Sequence, residues 1–167
     1  MNEATLLSVG ARPVIQFERR LPHSIDSVWA AVIDPVQMRA WFPTRIEIDG
    51  WKIGATLTHH FDEHDVAPLP GVVLDWQPPH RVRFTWGDDP ITFELTAASE
   101  GGTNFVLTEE LSAAHAARNA AGWECCLDRL QFGRERESWT NRFERYAAIF
   151  EPVLGHQDGP PESFDVS

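Results

Sequence analysis

The sequence predicts one α+β domain in which a curved antiparallel sheet wraps around a long C-terminal helix. Three observations predict it. Between residues 46 and 111, six short runs of strand-forming sequence are separated by turn residues. Directly after them, Trp123, Cys126, Leu127 and Leu130 recur at i, i+3, i+4 and i+7, so one helical face carries a large ring, a thiol and two leucines. A strand and two capped helices precede the six runs, and a helix laid across a sheet covers the apolar face of both.

Residues 1–13 read as a flexible N-terminus. Val14 to Leu21 has the β-branched and aromatic content of a first strand, which Pro22 ends. Ser24 is a good N-cap for a helix from Ile25 to Val32. Asp34-Pro35 repeats the signal with proline at the first helical position. Trp29, Val32, Met38, Trp41 and Phe42 supply the buried faces of these two short helices.

The six runs are Ile46 to Ile48, Ala55 to Phe61, Val72 to Trp76, Val82 to Trp86, Ile91 to Thr96 and Thr103 to Leu111. Asp49-Gly50, Pro68 to Gly71, Pro78-Pro79, Gly87 to Pro90 and Ser99 to Gly102 separate them, and this is turn chemistry. Short turns imply an antiparallel meander. Alternation places Val82, Phe84 and Trp86 on one face with Ile91, Phe93 and Leu95, and Arg81, Arg83, Thr92 and Glu94 on a wet opposite face.

The long helix is predicted from about Ala113 to Gln131, with Gly133 as its stop signal. Gly122 inside it costs roughly 1 kcal/mol against alanine, which close approach by an aromatic ring or a ligand would compensate. Trp139, Phe143, Tyr146 and Phe150 form the apolar stripe of a second helix, predicted to dock on the body or on another subunit. Residues 151–167, rich in Pro, Gly and Asp from Gly155 onward, read as a disordered tail.

The chain of 167 residues suits a single domain, and residues 14–150 are its predicted extent. A net charge of −11, with Lys52 the only lysine, argues against nucleic acid and anionic membranes as partners. Cys125 and Cys126 are adjacent and point about 100° apart on a helix, so they read as reduced thiols. The N-terminus lacks a basic region followed by an apolar core, and no run approaches the roughly 18 apolar residues of a membrane span. A cytoplasmic protein without membrane insertion is expected. Seven tryptophans call for a large interior or a ligand.

Several segments in this order resemble the bacterial homologues of the heat-shock protein 90 ATPase activator. The opening Phe17-Glu18-Arg19 to Pro22-His23-Ser24 with Val28-Trp29, then Asp34-Pro35 leading to Trp41-Phe42-Pro43, is similar to the start of that family. So are Gly71 to Asp75 through Pro78-Pro79, Val82 to Trp86, Gly101-Gly102-Thr103, and Gly122-Trp123 through Leu130. The resemblance spans roughly residues 14 to 150 and implies the helix-grip fold of the START-like (SRPBCC) superfamily, with a cavity for small hydrophobic molecules. It does not imply one reaction. Members range from stress-linked proteins to polyketide cyclases, lipid carriers and a branch that stimulates a chaperone, the last in a multidomain architecture for which this chain has no room.

The expected site is therefore collective, an apolar cavity lined by Trp41, Leu57, His59, Phe61, Phe84, Trp86, Phe93, Phe105, Trp123, Cys126, Leu127 and Leu130. His59 follows Leu57 and precedes Phe61 on the inward face, where it is a structural histidine, a ligand contact or an acid or base. Glu109 alternates inward with Phe105 and Leu107, and burial there raises its pKa. The cluster His59-His60-Phe61-Asp62-Glu63-His64-Asp65 invites a metal reading. However, adjacent strand residues face opposite sides, and Asp62 to Asp65 reads as a solvated loop. Neither cysteine has a sequence neighbour that would activate it. A small apolar or aromatic ligand, no metal or organic cofactor, and a monomer or homodimer are expected. The alternatives are a cyclase- or hydrolase-like enzyme using His59 or Glu109, and an interaction module using the stripe from Trp139 to Phe150.

Overall fold

Strand β1, Thr5–Ser8, pairs antiparallel with β2, Val14–Leu21, through Thr5 opposite Gln16 and Leu6 opposite Ile15. The computed structural model describes residues 3–161. The expectation of a flexible segment over residues 1–13 is corrected for Thr5–Ser8. Little in β1 is buried, so its own sequence carries no alternation signal; the free edge of β2 and a hydrogen bond from the Ala4 N–H to the Tyr146 hydroxyl, 2.7 Å, hold it. Residues 1–2 lie outside the described residues.

Both caps form as the side chains dictate. Ser24 accepts from the Ser27 N–H at the start of α1, Ile25–Ile33, and Asp34 accepts from the Val36 N–H at the start of α2, Pro35–Met38. The remaining strands are β3, Arg45–Ile48; β4, Thr56–His60; β5, Leu69–Gln77; β6, Arg81–Trp86; β7, Asp89–Ala97; and β8, Thr103–Glu110. They complete one antiparallel sheet in the order β1-β2-β8-β7-β6-β5-β4-β3. Strand β5 starts earlier than its turn-like Pro70-Gly71 suggests, because Leu69, Pro70 and Gly71 pair with His59, Thr58 and Leu57.

A 3-10 turn at Ala113–His115 leads into α3, Ala116–Phe132, which ends on Gly133 in the left-handed conformation at φ 73°. The concave sheet face presents Ile15, Phe17, Phe84, Ile91, Phe93, Leu95, Phe105 and Leu107 to α3, which meets it partly with Ala116, Ala117, Ala120 and Ala121. Small side chains let the helix lie close to the sheet. The outer face carries the Arg81 ion pairs to Asp75 and Glu94.

Helix α4, Trp139–Leu154, is capped by Ser138 and packs along α3, with Tyr146 and Phe150 buried and Trp139 and Phe143 partly so. A charged layer lies under it. Arg19 from β2, Glu124 and Asp128 from α3, and Arg142 from α4 are all buried, with Arg142 paired to Asp128 and Arg145 to Glu124.

The expected tail beyond residue 150 is also corrected. Residues 151–154 finish α4, and the segment after it returns across the start of α3. There the buried Gln157 accepts from the Ala117 N–H at 2.8 Å and donates to the Ala113 carbonyl at 2.9 Å. His115 precedes α3 without a side-chain cap, so Gln157 supplies from a distance what a local cap would have supplied. Residues 162–167 lie outside the described residues. The architecture is the helix-grip fold.

Candidate functional site

The space between sheet and helix is occupied by the protein's own rings. Trp41 is fixed by its indole N–H on the Ala31 carbonyl, 2.9 Å, and packs against Phe93 and Phe105 with ring centroids 5.7 and 6.3 Å apart. Phe42 touches Phe84, Phe93, Trp86 and Trp123 at 5.6 to 6.4 Å. What stays open is a groove of about 990 Å³ between α3 and the rim of the sheet.

One wall of the groove is the segment after α2, Phe42, Pro43 and Thr44, with the loop after β4 from Phe61 to His64. The opposite wall is one face of α3: Asn119, Gly122, Trp123 and Cys126. Trp86 and Glu109 reach it from the sheet, and Pro160 and Pro161 line it from the returning C-terminal segment.

Of the twelve residues expected to line a cavity, Phe61, Trp86, Trp123 and Cys126 meet at this groove. Trp41, Leu57, His59, Phe84, Phe93, Phe105 and Leu127 are buried in the core behind it, and Leu130 packs half-buried against that core. Leu57, His59, Phe84, Phe93 and Phe105 are buried, Trp86 is half-buried, and Phe61 follows the end of β4; alternation does not say where the rings of the segment after α2 come to rest. Phe42 and Asn119 line the groove without having been expected there, and Gly122 lines it where the sequence allows for close approach of a ring or a ligand. Asn119 had a signal, since it stands one helical turn before Trp123 on the same face.

His59 is structural. Its Nε2–H donates to the Thr85 carbonyl at 3.0 Å, and its Nδ1 faces the Thr44 hydroxyl at 3.1 Å as acceptor. Burial holds its pKa below the ordinary value, so the neutral ring stays in place between β3, β4 and β6. Gly71 makes this possible, because a Cβ there would stand 2.3 Å from the Thr85 carbonyl oxygen and 3.2 Å from His59 Nε2. His60 points the other way and pairs with Glu47 at 3.4 Å. Among the described residues no group of three His, Cys, Asp or Glu side chains is placed to hold a metal ion.

The thiols are deactivated. Burial pushes Cys126 up to about 12 and Cys125 to about 11, so neither supplies a thiolate at neutral pH.

Glu109 is the titratable group left. It is 2% exposed, and the Asn119 amide donates to its Oε1 at 3.0 Å. Burial is the main cause that raises its pKa, to about 7, against the Asn119 bond and a nearby Trp123 indole that favour the charged form. Among the described residues no cation pairs with it: Arg12, the one that acts on it, is 3.0 Å from Asp89 and 3.6 Å from Glu110. The site is thus an aromatic slot with one carboxyl at its base that carries or releases a proton near neutrality.

Fold and groove together define an SRPBCC-type protein. The model of the family described as activator of Hsp90 ATPase homolog 1-like protein matches residues 22–132, and the chain belongs to that family. Solved structures share the fold. A conserved protein of unknown function, EF2215 from Enterococcus faecalis, superposes with a TM-score of 0.76 at 16% identity, over 89% of this chain and 91% of its own. CalU16 from Micromonospora echinospora gives 0.67 at 18% identity, covering 91% and 94%. The protein encoded by BPP1335 from Bordetella parapertussis gives 0.62 at 24%, covering 96% and 98%. No curated protein matches. No helix among the described residues is long and apolar enough to cross a membrane.

Proposed function

We propose that this chain is a binding protein for a small apolar or aromatic molecule, held in the groove between α3 and the sheet rim. The observation that carries this reading is a groove of about 990 Å³ walled by Phe42, Phe61, Trp86 and Trp123 around one buried polar pair, Glu109 and Asn119. Aromatic walls with a buried polar pair are what small-ligand sites are made of, and here charged side chains such as Arg45, Asp62, Arg129 and Glu135 also line the groove. Packing of Tyr146 and Phe150 onto α3 favours this reading over a protein-interaction role for the stripe from Trp139 to Phe150. The test is native mass spectrometry of freshly purified protein beside the same sample denatured. A small molecule lost on denaturation supports the reading. A bare mass from several expression hosts counts against it.

A second reading, proton transfer by Glu109 to or from the bound molecule, draws on the placement of that carboxyl at the groove. His59 does not enter it, since both ring nitrogens are engaged. Recovery of a chemically altered ligand from the wild type, and of the unaltered one from E109Q, would favour it.

A further inference from the structure

Glu109 and its surroundings hold more than a generic slot, because the groove's lining carries no fewer acidic side chains than arginines. Arg39, Arg45, Arg118 and Arg129 line it, and so do Asp62, Glu63, Asp89 and Glu135. Arg45 is bonded to Asp62 at 2.7 Å, and Arg129 is paired to Glu135. The lining therefore carries no excess of cations for an anion. At the base, the two side chains that bond Glu109, the Asn119 amide and the Trp123 indole, are both donors, and the Asp89 carboxylate acts on it from β7. A protonated Glu109 has an O–H at the lining of the groove, where an acceptor on a bound molecule can take it.

We propose that Glu109 selects the ligand: the groove takes an uncharged aromatic molecule that bears a carbonyl oxygen, with its ring against Phe42, Trp86 and Trp123 and its oxygen accepting the Glu109 O–H, and it rejects the matching carboxylate. This rests on the binding reading above and deepens it to a substrate class. A carboxylate would meet a buried acidic group that can ionise, with the Asp89 charge beside it. The raised pKa of Glu109 agrees with the geometry, since it leaves the donor form substantially populated at neutral pH.

Other groups face the same carboxyl. Asp89 from β7 and Arg12 from the segment before β2 act on it directly. His115 and Arg118 stand at the start of α3 and line the groove with it. Burial pushes the pKa of His115 down and that of Asp89 up, so both neighbours are titratable groups beside Glu109. A Glu109→Gln variant separates them, because the amide keeps a donor at the same place that does not titrate. Any pH dependence it retains belongs to the neighbours.

The test is equilibrium dialysis of the full chain against 2-acetylnaphthalene, 2-methylnaphthalene and 2-naphthoate, at about pH 6 and about pH 8.5 on either side of the Glu109 transition. At the lower pH the acetyl compound should bind at least about tenfold more tightly than the methyl compound, the worth of one buried hydrogen bond. That advantage should shrink at the higher pH, persist at both in E109Q, and vanish in Glu109→Ala. Circular dichroism confirms that both variants are folded. Equal binding of the acetyl and methyl compounds, or tightest binding of the naphthoate, overturns the selection by Glu109 and leaves the binding reading standing. Failure of all three probes to bind overturns both.

Discussion

At the scale of single residues, Glu109 trades stability for a protonatable group at the groove. Its folded pKa of about 7 lies above the ordinary 4.5, so the folded chain holds a proton that the unfolded chain releases. The favourable contribution is complete below about pH 4.5 and is lost as pH rises through about 7, a swing on the order of 3 kcal/mol. Glu109→Gln removes the titration. Urea unfolding should show the variant gaining on the wild type by up to about 3 kcal/mol between pH 5 and pH 8. A difference that does not change with pH would sink the claim that this carboxyl is buried without a charge partner. Gly122 is the complementary case. A Cβ there meets only the Trp139 indole nitrogen at 3.9 Å, an ordinary contact, so Gly122→Ala should stabilise α3 by about 0.5–1 kcal/mol in thermal unfolding. The same methyl enters the groove, and ligand retention should fall. Both residues are visible as oddities in the sequence, an inward glutamate and a glycine in mid-helix. What the sequence does not show is that they share one space, since that depends on how α3 settles across β8.

At the scale of elements, caps and alternation make most of the fold legible. Ser24, Asp34 and Gly133 set helix ends through their own side chains or backbone freedom, and Val82, Phe84, Ile91, Phe93 and Leu95 are buried where alternation puts them, whereas Trp86 is half-buried and Thr92, expected on the wet face, is buried. Elements whose stability comes from elsewhere are not legible. Strand β1 depends on the edge of β2 and on Tyr146, and the start of α3 depends on Gln157, 40 positions away from Ala117. Docking of α4 on α3 is the strongest such dependence, because it buries Arg142 against Asp128. Asp128 then has one further donor, the Arg136 N–H at 2.8 Å. Arg142→Ala strands the carboxylate and should cost about 3–5 kcal/mol by urea denaturation, whereas the double variant R142M/D128N should recover much of that loss. Equal losses in the single and double variants would mean that the cost lies in removing Arg142 itself and not in stranding the Asp128 carboxylate.

At the scale of the whole molecule, the sheet has two edges and manages them differently. One edge is β3, four residues long, and the other is β1, also four. Short edges offer few unpaired N–H and C=O groups to another chain. Strand β1 covers part of β2, which is eight residues long and rich in β-branched and aromatic residues along its first half. The segment before it is tied to α4 by the Ala4 bond to Tyr146 and by Glu3 to Arg145 at 3.1 Å, so this cover is anchored to the body rather than to the sheet alone. A second protection is the net charge of −11, which keeps copies apart through a repulsion that salt weakens over a Debye length of roughly 8 Å at physiological strength. The two act together. Removing residues 1–9 should leave the helix-grip body folded by circular dichroism but expose the longer β2 edge, with a stability loss of about 1–3 kcal/mol from the lost pairing and the lost Ala4 bond to Tyr146. In sedimentation velocity the truncated chain should associate as salt is raised while the full chain does not change. Association of both forms alike would show that β1 is not the guard of that edge, and that an apolar surface such as Ile149 and Val153 on α4 brings the copies together instead.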